Sequence, residues 1–269
     1  MPESLHLKKQ FGQNFIQSSE VIDDIIHAFN AGENDFVLEI GPGAGALTIP
    51  LSEEVGHLTA IEIDPRLVIR LRDQFAKNSK VDIIADDVLQ VDFNKLLQQE
   101  NANEFDKIKI VGNIPYNITS PIIEKVLSSD IPFTNFTLMI QKEVADRICA
   151  QPGTRKRGYM SVFVQYYCEP TYIRTVGREL FMPVPNVDSA VVNLEFRKEV
   201  PVSCDKEKFF SVVKQSFSQK RKTLANSLAG YGNRDKQAIS ELLSSIGIEP
   251  QRRAETLSLE EFDKLAQAL

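Results

Sequence analysis

The segment Phe36-Val37-Leu38-Glu39-Ile40 runs directly into Gly41-Pro42-Gly43-Ala44-Gly45-Ala46, and this junction constrains the chain more than any other. Five strand-forming residues that stop in three closely spaced glycines predict a strand, a tight turn and a helix beginning near Leu47. The next apolar run, His57 to Ile63, ends in Glu62-Ile63-Asp64. Asp64-Pro65 is an N-cap and first-turn pair for a helix bearing Leu67, Val68, Leu71 and Phe75. Two strands joined by a helix in this way must lie parallel. The alternation continues with strands at Val81–Ala85, Ile108–Val111 and Phe136–Ile140. Helices are expected near Lys95–Gln98, at Ile122–Leu127 behind a Ser120-Pro121 cap, and at Glu143–Ala150. The expected fold is α/β, a Rossmann-like doubly wound, mostly parallel sheet.

Such a sheet binds ligands at the carboxyl ends of its strands. The glycines let a ligand approach the backbone at a helix N-terminus, and Glu62, about 20 residues further on, stands where an acid accepts from ribose hydroxyls. Gly41, Gly43 and Ala46 satisfy the loose dinucleotide fingerprint, so a nicotinamide enzyme competes. The third glycine at 45 and the acid Glu39, two residues before the first glycine, look more like a loop that holds S-adenosylmethionine. Asp86-Asp87 at the third strand's end is either a helix cap or an acceptor for an adenine amino group.

The strand ending at Val111 passes into Gly112-Asn113-Ile114-Pro115-Tyr116. Pro115 has a fixed φ and no N–H, and it holds Ile114 extended. The Asn113 side-chain oxygen and the Pro115 carbonyl are expected to form a rigid pair of acceptors beside the Tyr116 ring. An exocyclic amino group such as adenine N6 has two hydrogens for such a pair. Acceptors placed there stabilise positive charge growing on the nitrogen during attack on an electrophile. An ordinary Asn/Pro turn is the structural alternative.

Beyond residue 150 the pattern changes. Met160–Tyr167 is apolar enough for a buried helix, and Tyr172–Val176 with Ala190–Phe196 reads as an antiparallel hairpin at the sheet edge. Between them two prolines hold Phe181-Met182-Pro183-Val184-Pro185-Asn186-Val187-Asp188-Ser189 extended, with Phe181 either a stacking face or a core residue. After a linker at about 197–204 the chain becomes helical: Lys206–Phe217, Thr223–Leu228, Lys236–Ile246 and Leu259–Leu269, the last opened by a Ser258…Glu261 capping box. Two domains follow, 1–197 for the cofactor and catalysis and 205–269, small and all-helical.

The net charge is −6, which excludes a uniformly basic coat, yet basic residues cluster at Lys8-Lys9, Arg155-Lys156-Arg157, Lys220-Arg221-Lys222 and Arg252-Arg253. Brought together they would form a phosphate footprint; singly each is a solvated face. Three cysteines, with no Cys-x-x-Cys, point to reduced thiols and no zinc site. The N-terminus has no signal-like apolar core and no run approaches a membrane span. A soluble cytoplasmic protein, binding neither membrane nor metal and acting as a monomer, is expected. The scattered His6, His27 and His57 do not suit zinc-dependent deamination of an amino group.

Five stretches together resemble the ribosomal RNA adenine N6,N6-dimethyltransferases, specifically the KsgA-type enzymes of the small subunit. They are Lys9-Gln10-Phe11-Gly12-Gln13-Asn14-Phe15, Glu39 to Gly45, Asn113 to Tyr116, Phe181 to Ala190, and Lys220 to Leu228. The glycine loop is common to many methyltransferases; the last two stretches are specific. The resemblance implies a class I S-adenosylmethionine-dependent methyltransferase fold followed by a helical domain, acting on two adjacent adenosines near the 3′ end of small-subunit RNA in a pre-30S particle. It implies cofactor contacts at Asn14, Ile16, Gly41, Gly43, Glu62, Asp87 and Asn113. N6 would be held by Asn113 and Pro115, with Tyr116 and Phe181 on the base faces. RNA contacts are expected at Lys8, Lys9, Arg155, Lys156, Arg157, Lys220, Arg221 and Lys222. Ile114 departs from the leucine common in this group and matches the related large-subunit resistance methyltransferases, which, with a non-catalytic assembly factor on the same fold, are the alternatives.

Overall fold

The structure is a computed structural model that describes residues 14–269. Lys8, Lys9 and the arm from Gln10 to Gln13 lie outside the described residues. The chain divides into two compact units, the first comprising 1–145 with 171–196 and the second 146–170 with 197–269.

The first unit opens with β1 (Phe15–Ile16) and α1 (Ser19–Phe29), followed by β2 (Asp35–Ile40), α2 (Thr48–Glu54), β3 (His57–Glu62), α3 (Pro65–Phe75), β4 (Val81–Ala85) and α4 (Phe93–Gln99). Then come β5 (Lys107–Asn113), α5 (Thr119–Leu127), β6 (Phe133–Gln141) and α6 (Lys142–Ile148). Helix α7 (Tyr159–Tyr167) precedes β7 (Cys168–Val176), β8 (Phe181–Met182) and β9 (Ser189–Phe196). The remainder is helical: α8 (Lys206–Ser216), α9 (Leu224–Ser227), α10 (Lys236–Ser245) and α11 (Leu259–Ala268).

Seven strands form one sheet in the order β4-β3-β2-β5-β6-β9-β7. The β4, β3, β2, β5 and β6 pairings are parallel, and β9 runs antiparallel to β6. Every residue of β2 is buried, as a central strand covered on both faces requires. From β2 the sheet grows one way through β3 and β4 and the other way through β5 and β6. The β2–β5 junction is therefore the topological switch point, where such sheets open a ligand crevice. Gly112 permits this junction: a Cβ there would lie 2.5 Å from the Ile40 carbonyl oxygen. At the opposite end of the same strands, buried Lys109 and Asp35 pair at 3.0 Å.

Two local expectations change. Helix α5 begins at Thr119 rather than behind Ser120-Pro121, because proline is tolerated in a first turn and Pro121 lies within it. The Phe15–Ile16 arm is a strand that pairs antiparallel with β8, Ile16 opposite Phe181.

The division at 197 also changes. Residues 146–170 belong with the helical unit, because Val162 and Tyr166 of α7 are buried in one cluster with Phe209, Val212 and Val213 of α8 and Phe262 and Leu265 of α11. The expected capping box is present: Ser258 accepts from the Glu261 N–H, and the Glu261 carboxylate accepts from the Ser258 N–H.

Candidate active site

The carboxyl ends of β2, β3, β4 and β5 surround a cavity of ≈ 160 Å³. Every cofactor contact expected from the sequence lines it: Asn14, Ile16, Gly41, Gly43, Glu62, Asp87 and Asn113. Pro115 and Tyr116 line it as well.

Its floor is the glycine turn. Gly43 has φ +60°, and a Cβ there would meet the Phe15 ring at 2.9 Å, so only glycine leaves the backbone open to a ligand beneath that ring. Glu62 fastens this turn to the end of β3. Its Oε2 accepts from the Gly43 N–H at 3.0 Å and its Oε1 accepts from the Asp64 N–H at 2.9 Å. A carboxylate retains further lone pairs after accepting two bonds, so Glu62 both shapes the floor and can accept from a bound hydroxyl. Burial raises its pKa, opposed by those two backbone bonds.

Glu39 lies deeper, 1% exposed, with Oε2 buried and lacking a hydrogen-bond partner among the described residues. Burial, its largest influence, pushes its pKa up to about 8, and the nearby Glu62 charge adds to the effect. Asp87 is half-buried at the cavity edge, where its Oδ1 accepts from the Leu89 N–H at 2.9 Å.

Asn113 is the last residue of β5. Its Nδ2 donates to the Asn14 carbonyl at 2.9 Å, which leaves the Oδ1 end of the amide to accept. The Pro115 carbonyl is less open than the sequence suggests. It accepts from the Ile118 N–H at 3.1 Å and from Thr119 Oγ1 at 3.2 Å. The same hydroxyl lies 3.4 Å from the Tyr116 carbonyl, so turning it exchanges one acceptor for another and releases a Pro115 lone pair.

The Tyr116 hydroxyl lies 2.6 Å from Ser189 Oγ, which is fully buried at the start of β9. Sequence reasoning alone does not single out Ser189 or Thr119. Their only signal is adjacency, Ser189 to the Phe181 loop and Thr119 to the Asn113–Tyr116 turn.

The structure places two expected site residues in its interior. Phe181 is 2% exposed, belongs to the core cluster with Ile16, Val21, Met139 and Val191, and does not line the cavity. Strand pairing with β1 turns its ring inward, so it offers no free stacking face in this arrangement. Arg157 is also 2% exposed, donating to the Ala150 carbonyl at 2.9 Å and to Gln165 Oε1 at 2.6 Å. Burial pulls its pKa down to about 10, and its role in the fold is structural rather than phosphate-facing. Arg155, Lys156, Lys220, Arg221 and Lys222 are exposed, with Lys156 paired to Asp146 at 2.7 Å.

The residues present fit S-adenosylmethionine: acids for ribose hydroxyls and an amino group, a glycine floor, a buried carboxyl with one oxygen unpartnered among the described residues, and an apolar lining from Ile16, Leu47 and Met139. Comparison with known proteins agrees. Residues 4–269 match the family described as Ribosomal RNA adenine dimethylase. The chain is 43% identical over 266 residues to a Ribosomal RNA small subunit methyltransferase A from Geobacillus thermodenitrificans, covering 97% of this chain and 90% of that protein. A protein of the same name from Bacillus mycoides is 42% identical, with 97% and 91% covered. Among solved structures, a dimethyladenosine transferase from Plasmodium falciparum superposes with a TM-score of 0.79 at 26% identity, over 93% of this chain and 95% of that one. The 23S rRNA methyltransferase ErmE gives 0.75 at 26% identity, over 95% and 99%. The chain therefore belongs to the ribosomal RNA adenine dimethylase family.

Proposed function

We propose that this enzyme transfers methyl groups from S-adenosylmethionine to N6 of two adjacent adenosines near the 3′ end of small-subunit ribosomal RNA, giving N6,N6-dimethyladenosine. The observation that carries this reading is the Asn113–Tyr116 turn, which opens on the same cavity as Glu62 and Asp87. A group that accepts from an amino nitrogen thus faces groups that accept from a nucleoside. The 42–43% identity to small-subunit enzymes supports the small-subunit substrate over the large-subunit one.

The cofactor supplies an electrophilic methyl group on a sulfonium whose sulfide leaves uncharged. Glu62 would accept from its ribose hydroxyls and Asp87 from its adenine amino group. Asn113 Oδ1 would accept one N6–H of the target base, and Pro115 O the other once Thr119 Oγ1 turns to the Tyr116 carbonyl. Both acceptors would face the nitrogen where positive charge develops, a placement that lowers the barrier without a strong base or Lewis acid, and the proton shed by the methylated nitrogen would pass to water. The Tyr116 ring, fixed by its hydroxyl on Ser189, would lie against the base.

We further propose a pre-30S particle as the substrate, with the exposed Lys220-Arg221-Lys222 turn on RNA phosphate. Action as a monomer belongs to the same proposal. No helix among the described residues is long and apolar enough to cross a membrane, and the thiols of Cys149, Cys168 and Cys204 are unpaired, which fits the cytoplasm. Incubating the enzyme with labelled S-adenosylmethionine and unmethylated small and large ribosomal subunits tests the whole reading. Label recovered as N6,N6-dimethyladenosine is expected; label confined to large-subunit RNA, or none, overturns it.

A further inference from the structure

At the amino-terminal edge of the sheet, remote from the cavity, three side chains converge. His57 is the first residue of β3, Asp82 the second of β4, and Glu100 the C-cap of α4. His57 Nε2 lies 3.2 Å from Asp82 Oδ2 and 3.6 Å from Glu100 Oε2, and one ligand atom from each residue falls within 4.8 Å of the others. We propose that His57, Asp82 and Glu100 bind a divalent cation of the zinc type, tying β3, β4 and α4 together.

Four observations carry this. First, the Nε2 atom is buried and has no hydrogen-bond partner among the described residues, although two carboxylate oxygens are close by. Nε2 stands within ion-pair distance of both oxygens at once, as ligands do around a shared ion. Second, separations of 3.2 and 3.6 Å bracket the edge of about 3.4 Å expected for a tetrahedron whose ligands stand roughly 2.0–2.1 Å from zinc. Third, the imidazole is held in place: its ring stacks on Phe36 at 5.2 Å and lies against Phe105 at 6.2 Å, which fixes where Nε2 points. Fourth, neither carboxylate has a lysine or arginine within ion-pair distance among the described residues, so two adjacent acids are left without a compensating charge. A divalent ion would supply it. One imidazole and two carboxylates suit zinc, and the open fourth position takes water.

This ion would be structural, and it departs from the expected lack of metal. The five residue steps along β3 from His57 to Glu62 span roughly 16 Å, too far for the ion to touch the cofactor. The site tightens the β3–β4 edge of the sheet instead.

The test uses the full chain, stripped with a chelator and titrated with zinc chloride in a calorimeter. One equivalent is expected to bind. Zinc at a hundred times its dissociation constant is expected to raise the melting temperature by about 5–10 °C. H57Q, D82N and E100Q should each weaken binding at least tenfold while leaving affinity for S-adenosylhomocysteine within twofold of wild type. D82N alters a half-exposed side chain outside the aromatic packing, so it reports ligation even if H57Q folds poorly. Failure to bind one equivalent, or equal binding by D82N and E100Q, overturns the proposal.

Discussion

In the proposed mechanism Asn113 does little more than present one acceptor to the target nitrogen. Its amide has one donor end and one acceptor end, and the bond from Nδ2 to Asn14 settles which end faces the cavity. N113A is expected to lower single-turnover methyl transfer by roughly 10²–10³-fold, by analogy with the loss of one preorganised group at a developing charge. The lost bond to Asn14 costs only about 0.5–1.5 kcal/mol, so the variant should stay folded in thermal melts. Activity within threefold of wild type would remove Asn113 from the reaction. Glu39 leads to a pH prediction. Its carboxyl titrates near 8 in the folded protein and near 4.5 when unfolded, so between those values only the folded state keeps the proton. Raising the pH through that window therefore favours unfolding. E39Q, which has no proton to lose, is expected to melt progressively above wild type between pH 5.5 and 8, without cofactor. A constant gap across that range would contradict it.

Among the elements, the short β1–β8 ribbon carries more weight than its length suggests. Ile16 lines the cavity and faces Phe181 across the pairing, so the phenylalanine supports the cavity wall from within the core. F181A is expected to cost roughly 3–5 kcal/mol of stability, read as a large fall in melting temperature, whereas F181L should lose much less. An F181A protein that melts with wild type yet fails only on RNA would return the ring to a stacking role. The sequence left Phe181 open because proline-held loops present aromatic rings inward or outward with equal ease, and only the unforeseen pairing with β1 decides it. The strands were legible from their β-branched runs, and the ends of β2, β3, β4 and β5 were legible as the site because parallel sheets bind ligands there. Thr119 and Ser189 were not, since a buried hydroxyl carries no pattern in sequence; its meaning depends on which carbonyl or ring folding brings beside it.

For the molecule as a whole, the basic clusters separate into kinds that sequence cannot distinguish. Arg157 is buried and bonded, while Lys220, Arg221 and Lys222 project into solvent from the turn after α8. Composition alone gave the two groups the same weight. Reversing the charge of all three exposed residues is expected to weaken binding to small-subunit RNA and flatten its salt dependence, by roughly 0.7–0.9 in logarithmic slope for each phosphate no longer neutralised. An unchanged slope would make that turn a solvated surface. The unit boundaries were equally hidden, because the apolar face of α7 could have been buried in either unit. Since 146–170 is buried against residues that come after 197, the polypeptide passes between the two units three times. During synthesis, α7 leaves the ribosome well before α8 and α11, the partners that shield its apolar face, and must wait for them. A gene ended at codon 197 would strand that face in water, and its product is expected to aggregate rather than behave as a free-standing catalytic half. This protein, made by ribosomes and acting on their RNA, completes its helical unit only when α11 has been translated.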